Sequence, residues 1–338
     1  MYIKNSILKK SISLWLASMF MIISIMIVIG GLTRLTDSGL SITQWQLFSG
    51  FLPPLNENDW LNYFNLYKEI PEFKLQNYSM TMHEFKVIFW WEWIHRFLGR
   101  LIGIFFLIPL IFFSFKVGFI KLKKLYIIFF LICFQGFIGW YMVSSGLNNR
   151  IDVSHFRLSS HLLLAYFILS LIFWNYLKLK LINFSDQKMN FNIPFIFLTL
   201  IFCQISIGAF VSGMDAGKIY NSWPLMGSGF FPDDNQFVNL FEFAAFSDPS
   251  LVQFMHRNLA YLIFFYYLFI LIKIYKNKLT KFFKAIKLIG FILIIQIILG
   301  IFTLMYGAQI TLSSMHQISS IFLVSSSIYF LYLNSNTS

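Results

Sequence analysis

The residues best suited to chemistry lie in Trp90-Trp-Glu-Trp-Ile-His-Arg-Phe-Leu-Gly-Arg100, where Glu92, His95 and Arg96 open a long apolar run. Ionisable groups at the end of a membrane helix are costly, and their presence there points to function. On a helix Glu92 and His95 are three apart and share one face. An imidazole turned into a helical bundle is a natural axial ligand for a haem iron. A carboxylate one turn away can exchange protons with whatever that iron carries. The same residues admit a plainer account: a Glu92–Arg96 ion pair at i, i+4, beside a histidine at the membrane interface.

Composition says what must position those groups. The chain has 338 residues, 58% of them hydrophobic, with 43 phenylalanines and only 12% charged. No soluble fold needs so much apolar surface, and the class is an all-α polytopic membrane protein. The net charge of +12 does not imply nucleic acid, because the basic residues are scattered through short loops; membrane lipid is the expected surrounding. Cys133 and Cys203 fall midway along apolar runs with no CxxC, and read as small buried hydrophobes rather than a disulfide or thiolate site. The first apolar run lacks a small-residue cleavage site, so a retained span is expected, not a signal peptide.

Runs of about 20 residues, enough to cross a bilayer, recur eight times, near 13–33, 87–114, 124–146, 156–178, 192–213, 250–274, 286–307 and 312–333. Lysines gather before span one (Lys4, Lys9, Lys10) and between spans two and three (Lys116 to Lys124), four and five (Lys178 to Lys188) and six and seven (Lys273 to Lys287). Asp186 is the one acid among them. The positive-inside rule then makes both termini cytoplasmic and puts the long segments 34–86 and 214–249 on the opposite side.

Those two segments are alike. Ile29-Gly-Gly-Leu-Thr-Arg-Leu-Thr-Asp-Ser-Gly39 is echoed by Ile207-Gly-Ala-Phe-Val-Ser-Gly-Met-Asp-Ala-Gly217, and Trp45 and Pro53 by Trp223 and Pro232. Gln135-x-x-x-Gly139 in span three returns as Gln296-x-x-x-Gly300 in span seven. The chain therefore reads as two tandem four-helix bundles, an N-terminal repeat over 1–183 and a C-terminal repeat over 184–338, inserted the same way round.

The repeat turns one odd histidine into four. His95, His161, His256 and His316 each open an even-numbered span, so all four are expected at similar depth near the outer face. Each is followed four residues later by a small residue, Gly99, Ala165, Ala260 and Ser320, which leaves room for a flat macrocycle. One imidazole pair per repeat makes two six-coordinate haem sites. Arg96, Arg100, Arg157 and Arg257 lie where they can meet haem propionates. A zinc or di-iron centre needs more carboxylates than either repeat offers. His83 and His155 read as interfacial polar residues rather than ligands. The halves differ at one informative place: where the first has Glu92, the second has Gln253. A carboxylate in one copy only suggests a reacting group in the first repeat and a static cofactor in the second.

Together these features resemble the haem A synthase family, over almost the whole chain. The likeness rests on the duplicated unit, on Glu92-x-x-His95-Arg96, on the histidine pairs and on Gly31-Leu-Thr-Arg-Leu-Thr-Asp-Ser-Gly39. It implies conversion of haem O to haem A by successive hydroxylation of a porphyrin methyl group to formyl. It implies that His95 and His161 hold the substrate haem, with Glu92 the catalytic carboxylate, and that His256 and His316 hold haem b. A cell inner membrane location and haem O synthase (CtaB) as a partner follow from the same likeness, and a homo-oligomer stays open. Some members carry a cysteine pair in the first outer segment. Residues 34–86 contain none, which places the chain nearer the alphaproteobacterial and mitochondrial branch. Two other classes also fit the residues: a di-haem b-type electron-transfer subunit, and a transporter or assembly factor whose histidines bind nothing.

Overall fold

The computed structural model describes residues 5–45, 49–147, 150–181 and 187–335. Lys4, Asp186 and the repeat boundary expected at 183/184 lie outside the described residues. Among these the architecture is all-α: α1 (Ser6–Leu35), α2 (Glu57–Lys68), α3 (Pro71–Leu75), α4 (Met82–Val117), α5 (Phe119–Ser144), α6 (His155–Lys180), α7 (Asn192–Gly213), α8 (Pro249–Lys276), α9 (Phe283–Met305) and α10 (Ile310–Ser335). Eight of them, α1 and α4 to α10, are long and apolar enough to cross a membrane, and the protein is a multi-pass membrane protein. Helices are the natural solution there, because hydrocarbon offers no partner for an unpaired backbone group. Large apolar side chains such as Phe105, Phe112, Phe130 and Phe265 face outward, as a lipid-facing surface allows. Cys133 and Cys203 face outward too. The expectation of buried cysteines is corrected: lipid solvates a small apolar thiol as well as a protein core does.

Local chemistry sets the helix ends. Asn5 caps α1 through its side chain, which accepts from the N–H groups of Ile7 and Leu8, and Asp248 caps α8 with Pro249 at its first turn. Thr81 and Glu84 form a capping box that starts α4, five residues before the expected span. The loop expected between spans two and three shrinks to Gly118 alone, whose φ of +97° turns the chain from α4 into α5. Lys116, Lys121, Lys123 and Lys124 therefore sit on helix ends.

In the first half α1 packs on α4 and α6, and α5 packs on α4 and α6. In the second half α7 packs on α8 and α10, and α9 on α8 and α10. The halves meet through α1, α6, α7 and α10, and one apolar core from Ile12 to Leu333 runs through both. A few polar bonds fix this seam. Gln317 of α10 donates to the Ile27 carbonyl of α1 at 2.9 Å, Tyr166 bonds Ser320 at 2.5 Å, and Ser159 bonds Ser206 at 2.8 Å.

The described residues between α1 and α4 form a folded cap. Leu40, Ile42, Phe64, Tyr67, Ile70, Phe85, Ile88 and Phe89 form a second apolar cluster that ties α2 and α3 to the start of α4. At corresponding places where the two outer segments begin, Asp37 and Asp215 have φ of 48° and 51°, a left-handed turn that aspartate tolerates better than most residues. Arg34 spans the two, bonding Asp37 at 2.5 Å, Asp215 at 3.4 Å and the Ser212 carbonyl at 2.9 Å.

Candidate functional site

Each of the four histidines is seated on a glycine of a neighbouring odd-numbered span. A Cβ on Gly30 (α1) would lie 2.9 Å from His95 Cε1, and one on Gly139 (α5) 2.9 Å from His161 Cε1. In the second half the figures are 3.0 Å for Gly208 (α7) on His256 and 3.0 Å for Gly300 (α9) on His316. Carbon atoms prefer ~3.5–4.0 Å, so any larger residue would displace the ring. All four glycines stand five residues before the last residue of their helix. The four imidazoles therefore sit at equivalent registers on those helices.

Three of the rings also meet a glutamine one turn below that glycine. Gln135 Nε2 lies 3.2 Å from His161 Nδ1 and donates to the His161 carbonyl at 2.9 Å. Gln204 does the same for His256, at 3.2 Å from the ring and 3.0 Å from the carbonyl. Gln296 Nε2 lies 3.3 Å from His316 Nδ1, and Ser319 donates to its Oε1.

The first pair fits a metal held from opposite sides. His95 and His161 have ring centroids 6.4 Å apart with planes at 60°. With metal–imidazole bonds of about 2 Å and ~1 Å more from each nitrogen to its ring centre, two imidazoles on opposite sides of one metal put their centroids about 6 Å apart. His256 and His316 occupy the corresponding glycine seats of the second half. No group of three or more His, Cys, Asp or Glu capable of holding a metal ion occurs among the described residues, so these pairs suit an iron whose remaining ligands come with it, as in haem.

Next to each pair, an arginine fastens the outer segment. Arg96 donates to the carbonyls of Ile42 at 2.8 Å and Gln44 at 3.2 Å. Arg257 donates to the corresponding carbonyls of Tyr220 at 2.9 Å and Ser222 at 2.9 Å, and its Nε is buried without a partner. Glu92 is 2% exposed. It accepts from Arg96 at 2.6 Å, from the Ser41 hydroxyl at 2.7 Å and from the Ile42 N–H at 2.7 Å. Gln253 replaces it in the second half and donates to the Tyr220 carbonyl at 3.1 Å.

Residues 13–328 match the family described as cytochrome oxidase assembly protein, COX15-CtaA. The chain belongs to this family. It is 51% identical to the heme A synthase of Pelagibacter ubique, across 99% of this chain and 100% of that protein. It is 42% identical to the heme A synthases of Rickettsia bellii, across 94% and 96%, and of Rickettsia prowazekii, across 96% and 98%. These relatives are alphaproteobacterial, in keeping with the cysteine-free first outer segment.

Within this COX15-CtaA chain the expected residues separate into groups. His95 and His161 face each other, and Glu92 and Arg96 are bonded as the plainer account expected, but the pair is buried and tied to Ser41 and Ile42. No hydrogen bond joins Glu92 to His95 among those present. Arg157 stacks on Tyr141 at 4.7 Å, and Arg100 lies over Phe51 at 5.7 Å. Ser320, expected to leave open space, bonds Tyr166 instead. His83 is exposed, as an interfacial residue should be. His155 is 9% exposed and packed on Phe156 and Phe210, where α6 begins against α7. Sequence reasoning missed Ser41, which reaches Glu92, and Gln204, the third glutamine facing a histidine. Gln204-x-x-x-Gly208 was findable, since it repeats the spacing of Gln135-x-x-x-Gly139 and Gln296-x-x-x-Gly300.

Proposed function

We propose that the protein is a haem A synthase: a membrane oxidoreductase that converts haem O to haem A by oxidising a porphyrin methyl group to formyl. The observation that carries this reading is the His95–His161 pair, spaced for one iron and seated on Gly30 and Gly139, in a chain whose relatives bear that name. His95 and His161 hold the substrate haem in the N-terminal half, 1–183. His256 and His316 hold a haem b in the C-terminal half, 184–338, where the glycine seats and the orphaned Arg257 Nε fit such a group. Haem b, when bound, supplies one-electron redox chemistry. Arg96 and Arg257 keep the outer segments closed over the pairs, and their remaining N–H groups suit haem propionates. Glu92 is the acid–base group. Three donors hold its carboxylate in place, positioned to accept a proton as the methyl group is oxidised. The lysine pattern supports an inner-membrane protein with both termini cytoplasmic and both haem sites toward the other side. Haem O synthase is the natural neighbour, because haem O is poorly soluble and is best handed over within the membrane.

The test is to purify the full chain, extract its pigment and identify the haems chromatographically. Haem O or haem A beside haem b is expected. Haem b alone would instead make the chain a di-haem electron carrier, and a colourless protein would overturn both readings.

A further inference from the structure

A cleft of about 580 Å³ opens between α8 and α9, away from the histidines. Its walls are mostly apolar, with Leu271 and Ile272 on α8 and Phe291 and Ile294 on α9, and Tyr275 and Lys287 stand at one end. The volume lies within the ~300–1,000 Å³ common for ligand sites. Gly290, in the wall, is ten residues before Gly300, the seat of His316, so the cleft lies about 15 Å along α9 from that histidine. The first half is closed at the same place. In the register that sets His95 on His256 and Gly139 on Gly300, Phe106 and Phe129 match Tyr267 and Gly290, while Ser114 and Tyr126 match Tyr275 and Lys287. Phe106 and Phe129 stack with centroids 6.3 Å apart, and Ser114 bonds Tyr126 at 2.7 Å. In the second half Tyr275 stacks on Phe283 instead, at 4.7 Å. The Tyr267 hydroxyl donates to the Ile286 carbonyl at 3.3 Å and rests where a Cβ on Gly290 would overlap it. With one ring and one bond missing, α8 and α9 meet less closely than α4 and α5.

Charge says what fills the opening. The turn from α8 to α9 carries lysines at 273, 276, 278, 281, 284 and 287 and no acid between them. Lys276, Lys278, Lys284 and Lys287 are exposed and form no ion pair among the described residues. Lys284 lies one turn from Lys287 on the same face of α9. Apolar walls suit an acyl chain, and ammonium groups at the mouth suit a phosphate. Basic pockets between membrane helices on the cytoplasmic side, where the proposed orientation puts this turn, bind anionic lipid head groups. We propose that the cleft between α8 and α9 binds an anionic phospholipid of that leaflet, with one acyl chain along the apolar walls and the phosphate on Lys284 and Lys287. The lipid completes the contact that Phe106–Phe129 and Ser114–Tyr126 make in the first half. The site does not depend on the haem A synthase reading.

The experiment is native mass spectrometry of the full chain, purified in detergent and titrated with palmitoyl-oleoyl phosphatidylglycerol or the corresponding phosphatidylcholine. One phosphatidylglycerol should bind more tightly than phosphatidylcholine, by about tenfold or more. Lys284→Gln and Lys287→Gln should each weaken it by about fivefold and leave phosphatidylcholine unchanged. Lys121→Gln, an exposed lysine at the same end of the first half, should have no effect. Tyr267→Phe together with Gly290→Phe copies Phe106 and Phe129, fills the cleft and should abolish the tight site. Equal affinity of the parent for the two lipids would overturn the proposal. So would a loss from Lys121→Gln as large as that from Lys287→Gln, which would mean a diffuse basic surface, and so would unchanged binding by the paired phenylalanine variant. If that variant does not insert, the lysine variants decide. Dimers of the chain that exclude the lipid would make a second copy the occupant and overturn the proposal.

Discussion

Glu92 carries three hydrogen bonds at full burial, and this makes its two roles separable. A carboxylate so held is a strut for the 41–42 backbone, and the proposed function adds the role of proton acceptor. The second half supplies the control, because Gln253 and Arg257 make the corresponding closure without a carboxylate. Glu92→Gln is therefore expected to insert and keep its haem, with haem A formation lowered by ~10²–10⁴-fold, the range for a positioned acid–base group; near-normal formation in a membrane assay would reduce Glu92 to the strut. The glycine seats make a second prediction at this scale. Gly208→Ala or Gly300→Ala should lower the haem b retained on purification, because the added methyl group pushes His256 or His316 off its position. Gly103→Ala, where a Cβ would meet nothing within 4 Å, should not. Haem content per protein, read from the optical spectrum, separates the two cases.

Among the elements, the α2–α3 cap has a weakness that pH should expose. Glu72 is 3% exposed. Its Oε1 accepts from Tyr67 at 3.1 Å and from Asn77 at 3.4 Å, while its Oε2 is buried without a partner. Burial, offset in part by the Tyr67 hydrogen bond, pushes this carboxyl from its ordinary 4.5 up to about 8. Between those values the folded cap keeps a proton that the unfolded cap releases, so stability falls as pH rises through this window and is fully present only below about 4.5. Hydrogen exchange in 57–75, corrected for intrinsic rates, should show protection dropping from pH 6 to pH 8.5, and Glu72→Gln should remove most of that dependence. Identical pH profiles for parent and variant would mean that the carboxyl titrates normally.

For the whole molecule, the halves are packed as one body, and the proposed function puts one haem site in each. His256→Ala or His316→Ala should lower retained haem b, since each removes one of two protein ligands. His95→Ala or His161→Ala should leave haem b largely in place while haem A formation stops. Loss of the same pigment in equal measure from all four variants would contradict two distinct sites. Sidedness is checked by a reporter active only outside the cytoplasm. It should work when fused within 214–249 and fail when fused near Lys278; the reverse would invert the orientation drawn from the lysines.

The eight spans, the duplication and the four histidines at equivalent registers were legible in the residues, because hydrocarbon forces long apolar helices and a repeat aligns its own special positions. Helix periodicity also paired Glu92 with Arg96. What it could not supply was the partner from elsewhere in the chain. That Ser41 and the Ile42 N–H complete the Glu92 site depends on how a 46-residue outer segment folds back, from Thr36 to Thr81, and no local pattern states that. In α2, Trp60, Tyr63, Phe64 and Tyr67 do follow a helical spacing, but no local pattern names Phe85 of α4 as the residue they pack on. The glutamine–histidine contacts cross between consecutive helices, α5 to α6, α7 to α8 and α9 to α10. The spacing from glutamine to glycine is local and could be read, but which ring each glutamine meets was decided by packing.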